Sequence, residues 1–282
     1  MSLKFTVGDL TIHRIIEQET SFLPALEMFP DMSAERLAEN RAWMRDAKAL
    51  DHEDTLILCF QSYVIETPHH TILVDTCIGN DKARPTRAKW HMKTDDAYIG
   101  GLKAAGFSVA DIDFVMCTHL HPDHVGWNTR LENGRWVPTF PRARYLMGRI
   151  EFDYWKDVRV PAVAAIFDDS VRPVADAGLI DLIDPGHDIG SEFSILSTPG
   201  HSPGHSLLRV ESCGESAMFI GDIVHHPLQI AVPDCNSFAC MDALLARQTR
   251  KRILEACCER KSSCRTGSLR RASSRAGQSQ WL

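Results

Sequence analysis

The chain has 282 residues, 44% of them apolar and 24% charged, which is enough to bury a substantial core and excludes a disordered polypeptide. Lys and Arg total 31 against 37 Asp and Glu, a net charge of -6, which argues against a nucleic-acid binder that gains affinity by neutralising phosphates. No run approaches the roughly 20 apolar residues that span a bilayer, and Met1 to Val7 lacks the apolar stretch of a signal peptide, so the sequence reads as a cytoplasmic protein that needs no membrane.

Taken in chain order, Phe5 to Ile15 and Ile57 to Glu66 carry β-branched and aromatic residues at strand length. Thr71 to Asp75 follows as a neighbouring strand after the Thr67-Pro68-His69-His70 turn. Between them Ser33 to Asp46 has no Gly or Pro and predicts a helix. A helix over Asp95 to Ala105 ends at Gly106, and Phe114 to Cys117 is apolar on both faces, as a buried central strand should be. Ala143 to Met147 predicts a strand and Arg149 to Asp157 a helix. Phe193 to Leu196, Ser206 to Val210 and Ala217 to Ile220 predict further strands, and Met241 to Glu259 a last helix. The nine cysteines show no CxxC pair and read mostly as small buried hydrophobes rather than a disulfide framework.

The character of the chain changes after residue 260. Lys261 to Leu282 holds six Ser, four Arg and one Lys with no acid, so these 22 residues carry +5. The expected organisation is one folded domain over 1–260 and a basic tail over 261–282, either disordered or the product of a shifted reading frame. Reading the codons allowed for Thr266-Gly-Ser-Leu-Arg-Arg one base later permits Leu-Ala-His-Phe-Gly.

The chemistry concentrates in Thr118-His119-Leu120-His121-Pro122-Asp123-His124, three imidazoles and a carboxylate directly after the central strand. In an extended loop the two histidines of HxH turn to one side and offer two nitrogens to one ion, while Asp123 and His124 turn toward a second position. Two adjacent cations require an anionic ligand to offset their repulsion, and Asp123 and Asp222 are candidates. Ser197-Thr-Pro-Gly-His201-Ser-Pro-Gly-His205 and Met218-Phe-Ile-Gly-Asp222 also deliver polar groups at strand ends. Each is weak alone, since either is as readily a plain turn, but their order after HLHPDH is persuasive.

These motifs resemble those of the metallo-β-lactamase superfamily: HxHxDH, a later histidine in a Pro-Gly-His turn, and an Asp closing a strand. Leu73-Val-Asp75-Thr-Cys77-Ile-Gly79 occupies the place of the family's upstream Asp, with Cys77 where Gly is usual. The resemblance implies an α/β fold, an αββα four-layer sandwich of two mixed β-sheets flanked by helices. It implies His119, His121 and His201 as ligands of a first metal, Asp123 and His124 on a second, and Asp222 bridging; Asp75 would orient a ligand histidine or merely cap its turn. The cofactor implied is Zn2+, two ions; the family ends the second site with a later histidine and none follows His226 here, so that site is either completed by another group or water or weakened.

A softer match of Gly126-Trp-Asn and Asp222-Ile-Val-His225-His226 points to the branch of bacterial lactonases and methyl parathion hydrolase. His225 stands where the lactonases place a substrate-contacting Tyr, and is read either as a donor to a substrate oxygen or as structural. The activity implied is hydrolysis of a small ester or lactone by metal-bound hydroxide, with Asp123 orienting the nucleophile or passing a proton. The alternatives are a phosphotriester or thioester hydrolase, iron-dependent oxygen or sulfur chemistry, or a metal-binding paralogue impaired by the missing histidine. Phe22 to Phe29 is read as core or as an apolar lip. The partners expected are a small-molecule substrate and at most a second copy in a homodimer.

Overall fold

The computed structural model describes residues 3–184, 186–189, 192–260 and 263–265. In chain order the first elements are β1 (Leu3–Val7), β2 (Leu10–Pro24), α1 (Ala25–Met28), α2 (Ala34–Asp46), β3 (Thr55–Glu66), β4 (Thr71–Val74), α3 (Ala97–Ala104) and β5 (Phe114–Cys117). They are followed by β6 (Thr129–Glu132), β7 (Arg135–Pro138), β8 (Arg144–Gly148), α4 (Arg149–Asp157), α5 (Pro161–Ser170), α6 (Arg172–Asp176), β9 (Ile180–Ile183) and β10 (His187–Ile189). The last are β11 (Phe193–Ser197), β12 (Ser206–Ser212), β13 (Glu215–Phe219), α7 (Leu228–Ala231), α8 (Ala243–Arg260) and β14 (Ser263–Arg265).

The run expected as one strand over Phe5 to Ile15 is instead a hairpin. Gly8, at φ +54, turns β1 back antiparallel onto β2, and β2 continues through two register shifts to Pro24. The first sheet has seven strands in the order β1-β2-β3-β4-β5-β8-β9, antiparallel as far as β4 and parallel beyond it. The second has five, β10 to β14 in sequence order, with β14 joining parallel to β13. Both sheets are therefore mixed. A small hairpin of β6 and β7 turns at Asn133-Gly134, a strong turn dipeptide.

Alternation along these strands builds three packed layers of side chains. Tyr63, Ile65, Val74 and Met116 of the first sheet meet Phe193, Ile195, Leu208 and Phe219 of the second. On the outer face of the first sheet, Val64, Leu73, Val115 and Met147 pack with Tyr98 and Leu102 of α3 and Phe167 of α5. Outside the second sheet, Leu207 and Met218 pack with Ile253 and Cys257 of α8. Helix, sheet, sheet, helix is the expected four-layer αββα sandwich.

The folded chain extends past the boundary expected at 260. Ser263–Arg265 pairs with Ala217–Phe219, and the Ile220 amide donates to the Arg265 carbonyl at 2.7 Å. The rest of the expected tail, 261–262 and 266–282, with the site of the postulated frame shift, lies outside the described residues. Cys59, Cys77, Cys117 and Cys235 are buried thiols, as expected, whereas Cys257 is disulfide-bonded.

Candidate metal centre

The site forms where four strands end. Asp75 follows β4, His119 to His124 follow β5, Thr198 to His205 link β11 to β12, and Asp222 follows β13. Parallel neighbours β4 and β5 deliver their carboxyl ends side by side, the position at which layered α/β proteins bind ligands.

Three imidazoles converge first. His201 Nε2 lies 3.1 Å from His119 Nε2 and 2.8 Å from His121 Nδ1, and the latter two are 3.0 Å apart. Burial and the neighbouring imidazoles hold His119 and His201 well below the usual histidine range, and burial pushes His121 down to about 4. The rings are thus neutral at physiological pH and offer lone pairs, the form that binds a metal.

Asp222 links this cluster to a second. Its Oδ2 is 3.5 Å from His201 Nε2, while its Oδ1 is 3.2 Å from His124 Nε2. Asp123 Oδ2 lies 3.8 Å from the same His124 nitrogen. Burial opposes ionisation of Asp222, but the imidazoles of His124, His225 and His201 outweigh it and hold its carboxyl well below the usual range. Burial pushes Asp123 up to about 6, with His124 opposing and Asp222 adding to the rise. Burial disfavours an imidazolium at His124, yet Asp222, Asp75 and Asp123 surround it and hold its pKa well above the usual value.

These residues fit metal ions. A tetrahedral ion with nitrogen ligands at about 2.0–2.1 Å separates those nitrogens by about 3.3 Å, close to the spacing of the three imidazoles. At the second cluster His124 Nε2 and Asp222 Oδ1, both buried, lie 3.2 Å apart as an ion pair without the geometry of a hydrogen bond, a spacing suited to two ligands of one cation. Among the described residues, groups of side chains able to hold an ion occur at His119, His121 and His201, at His119, His124 and Asp222, and at His201, His225 and Cys240. All six residues expected as ligands are therefore brought to one place.

Asp75 aims two of them. It accepts the Thr118 amide at 2.7 Å, the Thr118 hydroxyl at 2.8 Å and the Nδ1–H of His124 at 2.8 Å, so that His124 presents Nε2 to the site. The Thr118 hydroxyl, having donated to Asp75, accepts from His119 Nδ1 at 3.1 Å and leaves Nε2 free to bind. Asp75 and Cys77 both adopt left-handed backbone, at φ +57 and +48, which costs about 1–2 kcal/mol per residue. Cys77 thus forms the turn where Gly is usual, its thiol 3.2 Å from the Ser62 hydroxyl.

The sequence reading missed Glu151 and gave His205 no role of its own. Glu151, on α4 and 1% exposed, accepts from the Leu120 amide at 3.1 Å, Trp155 Nε1 at 2.6 Å, the Ser202 hydroxyl at 2.9 Å and the Gly204 amide at 2.8 Å. One carboxylate thereby joins the loop of His119 to the loop of His201. A Cβ on Gly204 would come within 2.2 Å of the Glu151 nitrogen, so only glycine permits this approach. His205 accepts the Asp222 amide on Nε2 at 3.2 Å, its Nδ1 facing the Thr198 hydroxyl at 2.8 Å, and so positions the shared carboxylate from behind. The only sequence signal for Glu151 is an acid placed four residues before a tryptophan on an amphipathic helix.

His225 is buried beside Asp222, with Nε2 3.1 Å from His201 Nδ1 and 3.4 Å from Asp222 Oδ2. Within the segment read as core or lip, Ala25, Met28 and Phe29 are core, while Phe22 stacks on Trp90 with ring centroids 5.6 Å apart.

The fold and this arrangement define a class. The family model of the metallo-beta-lactamase superfamily matches residues 61–256, and the chain belongs to that superfamily. Within it, the chain is similar to an N-acyl homoserine lactonase of Bacillus cereus, 27% identical over 203 residues that cover 68% of this chain and 74% of that one. Its fold is similar to the crystal structure of the hydrolase AbOPH of the beta-lactamase superfamily, with a TM-score of 0.80 and 23% identity over 95% of this chain and 90% of that one. It is also similar to AidC, a dizinc quorum-quenching lactonase solved with the product of its reaction, with a TM-score of 0.77 and 20% identity over 95% and 90% of the two chains.

Proposed function

We propose that this protein is a zinc-dependent hydrolase that opens a lactone or a small ester. The observation that carries the reading is the place of Asp222, one carboxylate oriented toward three converging imidazoles and, through its other oxygen, toward His124. His119, His121 and His201 would hold one ion, Asp123 and His124 a second, and Asp222 both. Ions there supply Lewis acidity and an activated water at neutral pH. The nitrogen-rich donor set favours zinc.

The remaining work falls to the protein. Asp123, whose carboxylate lies 3.8 Å from His124 Nε2 at the second position, would take a proton from the attacking water and return it to the departing alkoxide. Water adds to the acyl carbon, the carbon–oxygen bond of the ester breaks, and the products are an acid and an alcohol, joined in one molecule when the substrate is a lactone. Neither a serine nor a cysteine nucleophile is needed.

An acyl substrate is supported by the rim. The Met241 amide donates to the His201 carbonyl at 3.0 Å, placing the exposed apolar side chains of Phe238 and Met241 on the segment beside the centre. Arg87 lies 6.0 Å from the Phe238 ring and is one of the charges that lower the Asp123 carboxyl. The likeness to the Bacillus cereus lactonase supports a lactone over other esters. No helix among the described residues is long and apolar enough to cross a membrane.

The test is hydrolysis by the zinc-loaded protein of matched substrates: an N-acyl homoserine lactone, an aryl ester, a thioester and a phosphotriester. Highest kcat/KM on the lactone or aryl ester is expected. A phosphotriester or thioester turned over far faster than both would overturn the assignment of substrate.

A further inference from the structure

Gln229 and His225 are buried beside the metal centre, outside the six residues expected as its ligands, although His225 also forms a group able to hold an ion with His201 and Cys240. The oxygen and nitrogen of a glutamine amide are told apart by their neighbours, and here both ends agree. The His225 amide donates to Gln229 Oε1 at 2.7 Å, and Gln229 Nε2 donates to the Cys235 carbonyl at 2.8 Å. That carbonyl is itself held by Arg250 Nη1 at 2.8 Å.

With the amide so oriented, His225 Nδ1 faces an acceptor, Gln229 Oε1 at 3.3 Å, and carries its proton there. A neutral ring then has a lone pair on Nε2, and the donor within reach is His201 Nδ1 at 3.1 Å. We propose that Gln229 and His225 form a relay that keeps His201 protonated on Nδ1, so that its Nε2 lone pair points at His119 and His121. His225 is then a positioning residue, not the donor to a substrate oxygen that its place after Asp222 suggests. The opposite tautomer would direct Nε2–H to Asp222 Oδ2 at 3.4 Å. It would also set a bare Nδ1 against Gln229 Oε1 and leave His201 Nδ1–H only the Cys240 sulfur at 3.8 Å, a weak acceptor.

The assignment rests on reading His201 as a ligand, but the tautomer of His225 is measured without substrate, so the relay and the proposed activity fail separately. Nitrogen-15 histidine spectra of the full chain, metal-free and zinc-loaded, distinguish protonated from bare ring nitrogens. Expected are a proton on His225 Nδ1, a bare Nε2, and a scalar coupling across the hydrogen bond to His201 Nδ1. His225→Leu, which fills the space without an acceptor, should weaken zinc binding at the three-histidine cluster by roughly 10–100-fold. His225→Gln, whose amide oxygen replaces Nε2, should retain it. A proton on His225 Nε2 in the unaltered protein, or zinc bound as tightly by His225→Leu as by the parent, overturns the relay.

Discussion

Asp75 accepts the Nδ1–H of His124 at 2.8 Å while its other oxygen accepts the Thr118 amide at 2.7 Å, so one carboxylate sets both the start of the histidine loop and the aim of the ring at its end. Asp75→Ala is therefore expected to lower zinc affinity at the second cluster by roughly 10–100-fold, with a smaller loss at the first. Competition with a chromophoric chelator separates the two sites. Equal losses at both, or none, would contradict this role.

Glu151 satisfies four donors from two loops and its own helix while 1% exposed. Glu151→Ala leaves those donors buried without an acceptor and is expected to cost at least about 3 kcal/mol of stability, read from urea unfolding. Because the two loops carry His121 and His201, the same variant should also bind zinc less tightly under conditions where it is folded. A change within about 0.5 kcal/mol, the range of ordinary surface substitutions, would show that the clamp is not needed.

Lys82 is 0% exposed, donating to the Thr129 hydroxyl at 2.8 Å, and burial followed by Arg84 pushes its pKa down to about 7 against the pull of Asp169. The unfolded chain keeps the lysine protonated to about pH 10.4. Between these values the unfolded state binds the extra proton, so this group makes the fold more stable as pH rises, by at most about 1.4 kcal/mol per unit. Lys82→Met should remove that slope, which is read as the difference between the two proteins' unfolding free energies across the window. A difference that does not change with pH would contradict the low pKa.

What could be read from sequence follows the range of the interactions involved. His119, His121, Asp123 and His124 lie in one short loop, and the apolar run Phe114–Cys117 before them announces the strand end that presents them. Apart from Trp155 on its own helix, the partners of Glu151 lie 31 to 53 residues away on other loops, and no local pattern marks them. His205 repeats the Pro-Gly-His turn of His201, and only its contact with the Asp222 amide separates its role from that of a ligand. The first hairpin was hidden because β-branched residues run on either side of Gly8-Asp9, so strand propensity continues through a turn that a single left-handed glycine makes. Phe22 to Phe29 reads as core or as an apolar lip, and only the tertiary packing places Ala25, Met28 and Phe29 in a core, while the Met241 amide reaches the His201 carbonyl across a separation no local pattern marks.

The central claim is that cations held around Asp222 carry the reaction. Its most direct measurement is a zinc titration of the metal-stripped protein in which lactone hydrolysis is followed at every addition, alongside His121→Ala and Asp222→Ala. The account predicts negligible turnover without metal, one tightly bound ion, a second bound more weakly because no histidine follows His226, and at least about 10²-fold lower turnover in both variants, a loss beyond that of residues behind the ligands. Full turnover by the metal-stripped protein, or by either variant, would contradict it.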